Sequence, residues 1–397
     1  MLPIDKILLK KIYYEKKARE KIESEGRRDK EPNLLSISNA LDEYYYLNKI
    51  QLYCAYLSYK KFVNPTVLSY NKNDIRLIHI ILNQIDDNYF DNPAIKVYNK
   101  IRLLYEALNE TNSNDKTIYL ELKSLIDEYE YTINRFDKAT ILSYLTNYCL
   151  YKMNNGNFRF REEFLYTNLS ILKSLYTKNT SKKNKLPPST FKNIVVVSLK
   201  LDPATDFFQR CQITDKPAQA IRNQNKHNWI EEFMEYYKKW IDTKYKKTYY
   251  NYCLALLLFE KMEYVKAYRV LQNPSRTQGM FINLDTKVLH LVILYEVFNK
   301  RSIILENDGI DILKVLDSLR GLLKDDLNRK KQVSQKYVAI YKNFEKTYKR
   351  LYNLNLRYGG MQNKPLKFEK EQKKLKANVH AIEIPFKNWI LDKIHRL

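Results

Sequence analysis

An all-α fold is what the order of residues in this chain predicts, and three observations carry the expectation. Glycine is scarce, 7 of 397 residues, and proline numbers 11, so all-β sandwiches and phosphate-cradling α/β loops would lack the residues their tight turns need. Apolar residues recur every three or four positions from end to end, the period of a helix that packs on one side. Short polar breaks rich in Asn, Asp, Gly and Pro divide these runs, as turn formers do. A hydrophobic content of 45% supplies a sizeable core, and the length suits two or three packed units of about 100–200 residues each.

Taken in order, the elements justify themselves as follows. Lys and Asp interrupt the apolar residues of Met1 to Lys11, so no secretory segment of about 7–15 apolar residues is expected. Leu47, Ile50, Tyr53, Cys54 and Leu57 form a first helical stripe, and Leu120, Leu122, Leu125, Ile126 and Tyr129 a second. Breaks are expected at Asn64-Pro65, Asn71 to Asp74, Asp91-Asn92-Pro93, Asn109 to Asp115 and Asn154 to Asn157. Lys178 to Thr190, with two prolines and four lysines but no acid, reads as a linker. The β-branched run Ile194 to Val197 has no second run to pair with, so a buried helix is expected there. Asp202-Pro203 reads as a helix start, with Asp at N-cap and Pro at the first helical position. Further breaks fall at Asn273-Pro274 and Asn307-Asp308-Gly309, followed by a last long stripe of Val333, Tyr337, Ile340, Phe344, Tyr348 and Leu351. The segment Ile382 to Leu391, with Trp389, is expected to dock as a helix capping the end of the stack. Roughly fifteen helices with short links result, the pattern of stacked helical hairpins.

Within Asn251 to Leu271, Leu254 and Ala255 supply a leucine and a small residue, Leu258 follows one turn on, Glu263-Tyr264 fall at a turn, and Ala267 and Leu271 continue a second helix. This window resembles one tetratricopeptide repeat, a unit of about 34 residues. The family's early Trp is Asn251 here, and its closing Pro falls at Gly279. A poorer echo runs through Tyr148-Cys149 and Gly156-Asn157-Phe158, where Arg161 replaces the small alanine. Tyr-Cys recurs at 53–54, 148–149 and 252–253, intervals close to three units of about 34 residues. The resemblance implies an α-solenoid of antiparallel hairpins whose relatives bind peptides and protein partners. Leu254, Ala255, Leu258, Tyr264, Ala267 and Leu271 would then be the repeat-packing set. The expected organisation is a hairpin array over 1–178, a linker over 179–190, a second array over 191–357 with the tetratricopeptide-like unit, and a basic tail with capping helix over 358–397.

Motifs for chemistry are missing. No glycine-rich phosphate loop, dinucleotide fingerprint or nucleophile elbow is present, so no catalytic or cofactor-binding residues are assigned and no enzyme activity is expected. The five histidines, His79, His227, His290, His380 and His395, are dispersed, and none has a ligand partner at the spacing of a zinc site, so no metal is expected. His79 and His290 sit in apolar runs and read as satisfied core histidines. The pairs Asp86-Asp87 and Asp325-Asp326 diverge around a helix and read as solvated ends, and Glu306 to Asp311 lacks the ligand pattern of a calcium loop. Cys54, Cys149, Cys211 and Cys253 are no disulfide framework and read as reduced thiols at tight helix crossings of a cytoplasmic protein. No apolar run reaches the roughly 20 residues of a membrane span.

Charge remains. Sixty-nine Lys+Arg against 45 Asp+Glu leave +24. An A/T-rich coding sequence enriches Lys, Asn, Ile and Tyr whatever the function, so composition and selection for an acidic partner are both open sources. From Phe164 to Leu201 there are seven lysines and no acid, and from Leu327 to Arg357 nine basic residues face Glu345 alone. Lys342, Lys346, Lys349 and Arg350 fall on one helical face opposite the apolar stripe. They read either as a solvated face or as a surface that tracks backbone phosphates. Tyr236-Tyr237-Lys238-Lys239-Trp240 and Tyr245 to Tyr250 interleave rings with lysines in the way that stacks single-stranded bases, although Phe233, Tyr237, Trp240 and Tyr245 also keep the spacing of a core face. The expectation is a scaffold that binds a protein or peptide, with a nucleic-acid-associated protein as the alternative.

Overall fold

The computed structural model describes residues 32–62, 72–83, 92–108, 114–133, 135–176, 185–213, 225–272, 280–299, 312–329 and 335–397. Among these residues there are sixteen α-helices and no strand. The chain divides into two units, Met1–Thr177 and Lys178–Leu397.

The first unit holds α1 (Pro32–Phe62), α2 (Lys72–Asn83), α3 (Pro93–Ala107), α4 (Asp115–Glu128), α5 (Arg135–Asn154) and α6 (Phe160–Leu175). The expected break at Asn92-Pro93 starts α3: the Asn92 side chain accepts from the Ala94 N–H at 3.0 Å, and Pro93 occupies the first turn, where its missing N–H has no partner to lose. Ile95, Val97, Tyr98, Ile101, Leu104 and Tyr105 bury most of the way around α3, as a helix must when neighbours cover several sides. It packs on α1, α4 and α5, while α1 also meets α2 and α5 meets α6. Two hydrogen bonds tie helices two apart in sequence: Cys54 Sγ donates to the Tyr98 carbonyl at 3.4 Å, and the Tyr105 hydroxyl to the Tyr144 carbonyl at 2.9 Å. On α4 the inward face is Tyr119, Leu122 and Ile126, and Leu120, placed in the expected stripe, is exposed.

The second unit holds α7 (Pro188–Leu199), the single turn α8 (Phe207–Arg210), α9 (Lys226–Tyr237), a 3-10 turn (Lys238–Trp240), α10 (Thr243–Glu260), α11 (Tyr264–Leu271), α12 (Met280–Asn299), α13 (Ile312–Arg329), α14 (Gln335–Tyr358), α15 (Leu366–Ala381) and α16 (Lys387–Arg396). Its contacts follow a rule. The helices α7, α10, α12, α14 and α16 each pack on the next of that set, and α9, α11, α13 and α15 each fill the groove between two of them. Rings build the first groove: Phe207 and Phe208 meet Trp229, which stacks on Phe233, which stacks in turn on Phe191 of α7. Carboxylates on α12 reach further. Asp285 accepts from Lys192 of α7 at 2.7 Å and from the Tyr341 hydroxyl of α14 at 2.6 Å. Glu296 accepts from Trp389 of α16 at 2.6 Å and pairs with Lys393 at the same distance. The Ile382 to Leu391 segment therefore docks through α16, whose helix begins only at Lys387. The stretch read as a basic tail is itself helical, as α15.

Several local expectations change. Ile194, Val195 and Val197 are buried within α7, a helix as expected, but that helix starts at Pro188 and takes Ser189 and Thr190 out of the expected linker. No helix starts at Pro203. The Asp202 carboxylate accepts instead from the Ala204 N–H at 2.9 Å in a local turn, and the helical turn waits until Phe207, because an Asp-Pro pair serves a turn as well as a cap. The breaks at Asn64-Pro65, Asn273-Pro274 and Asn307 to Gly309, the core of the linker, Asp86-Asp87 and Glu306 to Asp311 lie outside the described residues, as do the side chains of Asp325 and Asp326.

The hairpin of α10 and α11 turns in three residues. Glu263 N–H bonds the Leu258 carbonyl and Met262 N–H the Phe259 carbonyl, both at 2.9 Å, with Met262 at φ +60°. The same double closure ends α5, where Gly156 at φ +87° takes the left-handed place. Ala255, Ala267 and Leu271 are buried, and Leu254, Leu258 and Tyr264 half-buried. Ala267 on α11 has no accessible surface, and α11 packs on both α10 and α12. The substitution Ala267→Leu should therefore overpack this crossing and lower stability by about 1–3 kcal/mol. Urea unfolding measures it, and a loss well under that range would show that the alanine has room to grow.

Candidate functional site

Two basic surfaces emerge from the second unit, and each begins in a helix face. On α14, Phe344, Tyr348 and Leu351 are completely buried, which turns the residues about 180° away outward. Lys342, Lys346, Lys349 and Arg350 are all exposed. None of the four has an ion-pair partner among the described residues. Glu345, the acid of this stretch, faces inward instead: it is buried and accepts from Arg320 Nε of α13 at 2.7 Å.

The second surface is a cleft of about 380 Å³ lined by Lys238, Thr243, Lys246, Lys247, Tyr250 and Asn251. Five of these sit on α10 at positions i, i+3, i+4, i+7 and i+8, one face of a helix. The opposite face carries Thr248, Tyr252, Cys253, Ala255, Leu256 and Leu257 into the core. Asp242 caps α10 by accepting from the Lys244 N–H at 2.9 Å. Lys238 comes from the 3-10 turn, which is braced twice. Trp240 lies 5.5 Å from the buried Tyr237 ring, and its carbonyl accepts from the Leu186 N–H at 2.9 Å.

The rings and the lysines here hold one another. Lys238 stands 5.3 Å over Tyr250, and Lys239 stands 4.6 Å over Tyr236 and 4.2 Å over Trp240. Glu235 accepts from both Lys238 and the Tyr250 hydroxyl. The Lys238 and Tyr250 bonds, with Lys246 adding positive field, hold its carboxyl below the usual carboxylate range. Burial and the same carboxylate push the Tyr250 hydroxyl up. Phe233, Tyr237 and Trp240 belong to the core, so of the interleaved rings only Tyr236, Tyr245, Tyr249 and Tyr250 keep an accessible edge. The lysine pattern at 246 and 247 is readable in the sequence, whereas the role of Glu235, directly before the aromatic run, has no signal there.

Elsewhere the sequence-derived residues separate. The four cysteines are buried and form no disulfide, and burial raises the thiols of Cys54 and Cys253 strongly and that of Cys149 to about 12, so these three stay neutral. His79 is half-exposed, 3.7 Å from Glu106, rather than a core residue. His290 is buried but unsatisfied: its Nε2 has no hydrogen-bond partner, and neither does the hydroxyl of Tyr268, whose ring lies 5.7 Å away. Among the described residues no group of three or more His, Cys, Asp or Glu is placed to hold a metal ion, and no helix is long and apolar enough to cross a membrane. Compared with known proteins, the chain matches no family model, no curated protein and no solved structure.

His290 makes stability depend on pH. Burial first, and the Lys287 ammonium second, hold the imidazole at about 4, well under its ordinary 6.5. The unfolded chain takes up that proton near pH 6.5 and the folded chain does not, so stability falls as pH drops from about 6.5 toward 4. The loss should reach about 3 kcal/mol. Urea midpoints at pH 7 and pH 4.5 for the wild type and for His290→Leu measure it. The wild type should lose more than the variant by about 2–3 kcal/mol, and equal losses would contradict the assignment.

Proposed function

We infer that the chain is a non-catalytic scaffold, with its second unit a tetratricopeptide-like solenoid of helical hairpins that binds a peptide or protein partner along the repeat surface. The observation that carries this reading is the contact rule of that unit. Most of its packed helix pairs are near neighbours in chain order, as in helical-repeat proteins, which engage partners along their stacked surface, and Asp285 and Glu296 add ties from α12 to α7 and α16. The hairpin of α10 and α11, with the buried small residues Ala255 and Ala267 at its crossing, supports the tetratricopeptide likeness, and buried cysteines without disulfides suit the reducing cytoplasm. The link from repeat architecture to partner binding is one of analogy between folds.

One observation favours a second reading, association with nucleic acid: the exposed, unpaired stripe Lys342, Lys346, Lys349 and Arg350. Lysines and arginines of this kind supply sequence-independent affinity for phosphate backbones, with log K falling by about 0.9 per contact against log[salt] on B-DNA. Affinity capture from native lysate, with and without nuclease, separates the two. The scaffold reading expects the same protein partner in both samples, retained by a variant with all four stripe residues replaced by Glu. Tight nucleic-acid binding at 150 mM salt that the four substitutions abolish would reverse the order of the readings.

A further inference from the structure

We propose that the cleft at the start of α10 is a binding site for a small ligand carrying two or more phosphoryl charges, a site distinct from the repeat surface invoked above. Two properties of the cleft lead to this chemistry. First, each of its six lining side chains ends in a hydrogen-bond donor and none in a carboxylate. Second, its charge is compensated only in part, by Glu235 at Lys238. Glu235 binds Lys238 and the Tyr250 hydroxyl, while Lys246 and Lys247 have no ion-pair partner among the described residues. Elsewhere in the same unit lysines do find acids, as in Lys261 with Glu231, Lys192 with Asp285 and Lys393 with Glu296.

Like charges brought together in a cleft repel, and an anion that sits among them removes the repulsion. A single carboxylate would leave most of that charge in place, whereas a polyphosphate brings charge and acceptor oxygens in matching number. Lys238 is already held by Glu235 and by the Tyr250 ring, so little side-chain entropy is lost when it receives a ligand. Lys246 and Lys247 then close from the helix face, with the Thr243 hydroxyl and the Asn251 amide as neutral donors. A stacked nucleic acid base fits less well. Trp240 is buried apart from a small edge and lies under Lys239, and Tyr250 lies under Lys238, so these rings are taken up by the protein's own cations.

Titration calorimetry of the full chain at low salt tests the proposal, with inorganic triphosphate as the probe and a twelve-residue oligothymidylate in a parallel arm. Triphosphate should bind the wild type, and Lys246→Gln/Lys247→Gln should weaken it by about tenfold or more, as expected for two charge-assisted contacts. Lys246→Arg/Lys247→Arg should retain binding, and so should the variant with Lys342, Lys346, Lys349 and Arg350 all replaced by Glu. Far-UV circular dichroism and the thermal midpoint verify that the Gln pair folds, since these positions lie off the buried face. Absence of triphosphate binding, equal binding by the Gln pair, or equal loss in the α14 variant would overturn the site. Oligothymidylate binding that triphosphate fails to displace, with its own dependence on Lys246 and Lys247, would replace the proposal by a single-strand interface.

Discussion

A buried tyrosine hydroxyl must find an acceptor, and in a chain with 34 tyrosines that requirement governs how the helices meet. Leaving such a group unpaired in the core costs about 1–3 kcal/mol, whereas the ring around it brings a large apolar contact. The structure meets both demands at once by sending the hydroxyl across to another helix. Tyr105 of α3 reaches the Tyr144 carbonyl of α5, Tyr348 of α14 reaches the Leu291 carbonyl of α12, and Tyr148 of α5 reaches the Asp115 carboxylate of α4. Each bond fixes a helix in rotation and in register, which leucine packing alone does not do. Among the described residues, Tyr268 beside His290 departs from this, with both polar atoms unpaired, and it is there that stability becomes sensitive to acid.

The faces of single helices were legible in the sequence because they depend on period alone. Phe344, Tyr348 and Leu351 inward with Lys342, Lys346, Lys349 and Arg350 outward is the clearest case, and the Asn92-Pro93 start another. What depends on partners distant in the chain was not legible. Asp285 joins Lys192 and Tyr341, and Glu296 joins Trp389 and Lys393, yet nothing near either acid in sequence distinguishes it from a solvated one. His79 and His290 were read alike from similar apolar surroundings, but only the packing of α11 on α12 decides that His290 is enclosed. Asp202-Pro203 failed for a local reason, since Asp at such a position closes a turn or caps a helix with the same hydrogen bond.

Of the candidate site, the lysines were visible and the cleft was not. Lys246 and Lys247 belong to a helical stripe, but the far wall is Lys238, and its place follows from a 3-10 turn braced by Tyr237 and by Leu186. The rings that suggested stacking are largely structural, and their exposed remnants hold lysines. Positive charge in this chain is thus of two kinds. Some is consumed by buried or half-buried acids that tie helices together, and some, on α14 and in the cleft, is left facing solvent.

Hydrogen bonds that cross between helices couple the second unit, and native-state hydrogen exchange of Tyr348→Phe, which removes the bond to the Leu291 carbonyl, tests that coupling most directly. Loss of one cross-helix hydrogen bond is worth about 1 kcal/mol, so amides of α12 and α14 should exchange about five to ten times faster than in the wild type. The adjoining α13 and α16 should follow in part, and the helices of the first unit should keep wild-type protection. Uniform acceleration across both units, or none in α12 and α14, would contradict it.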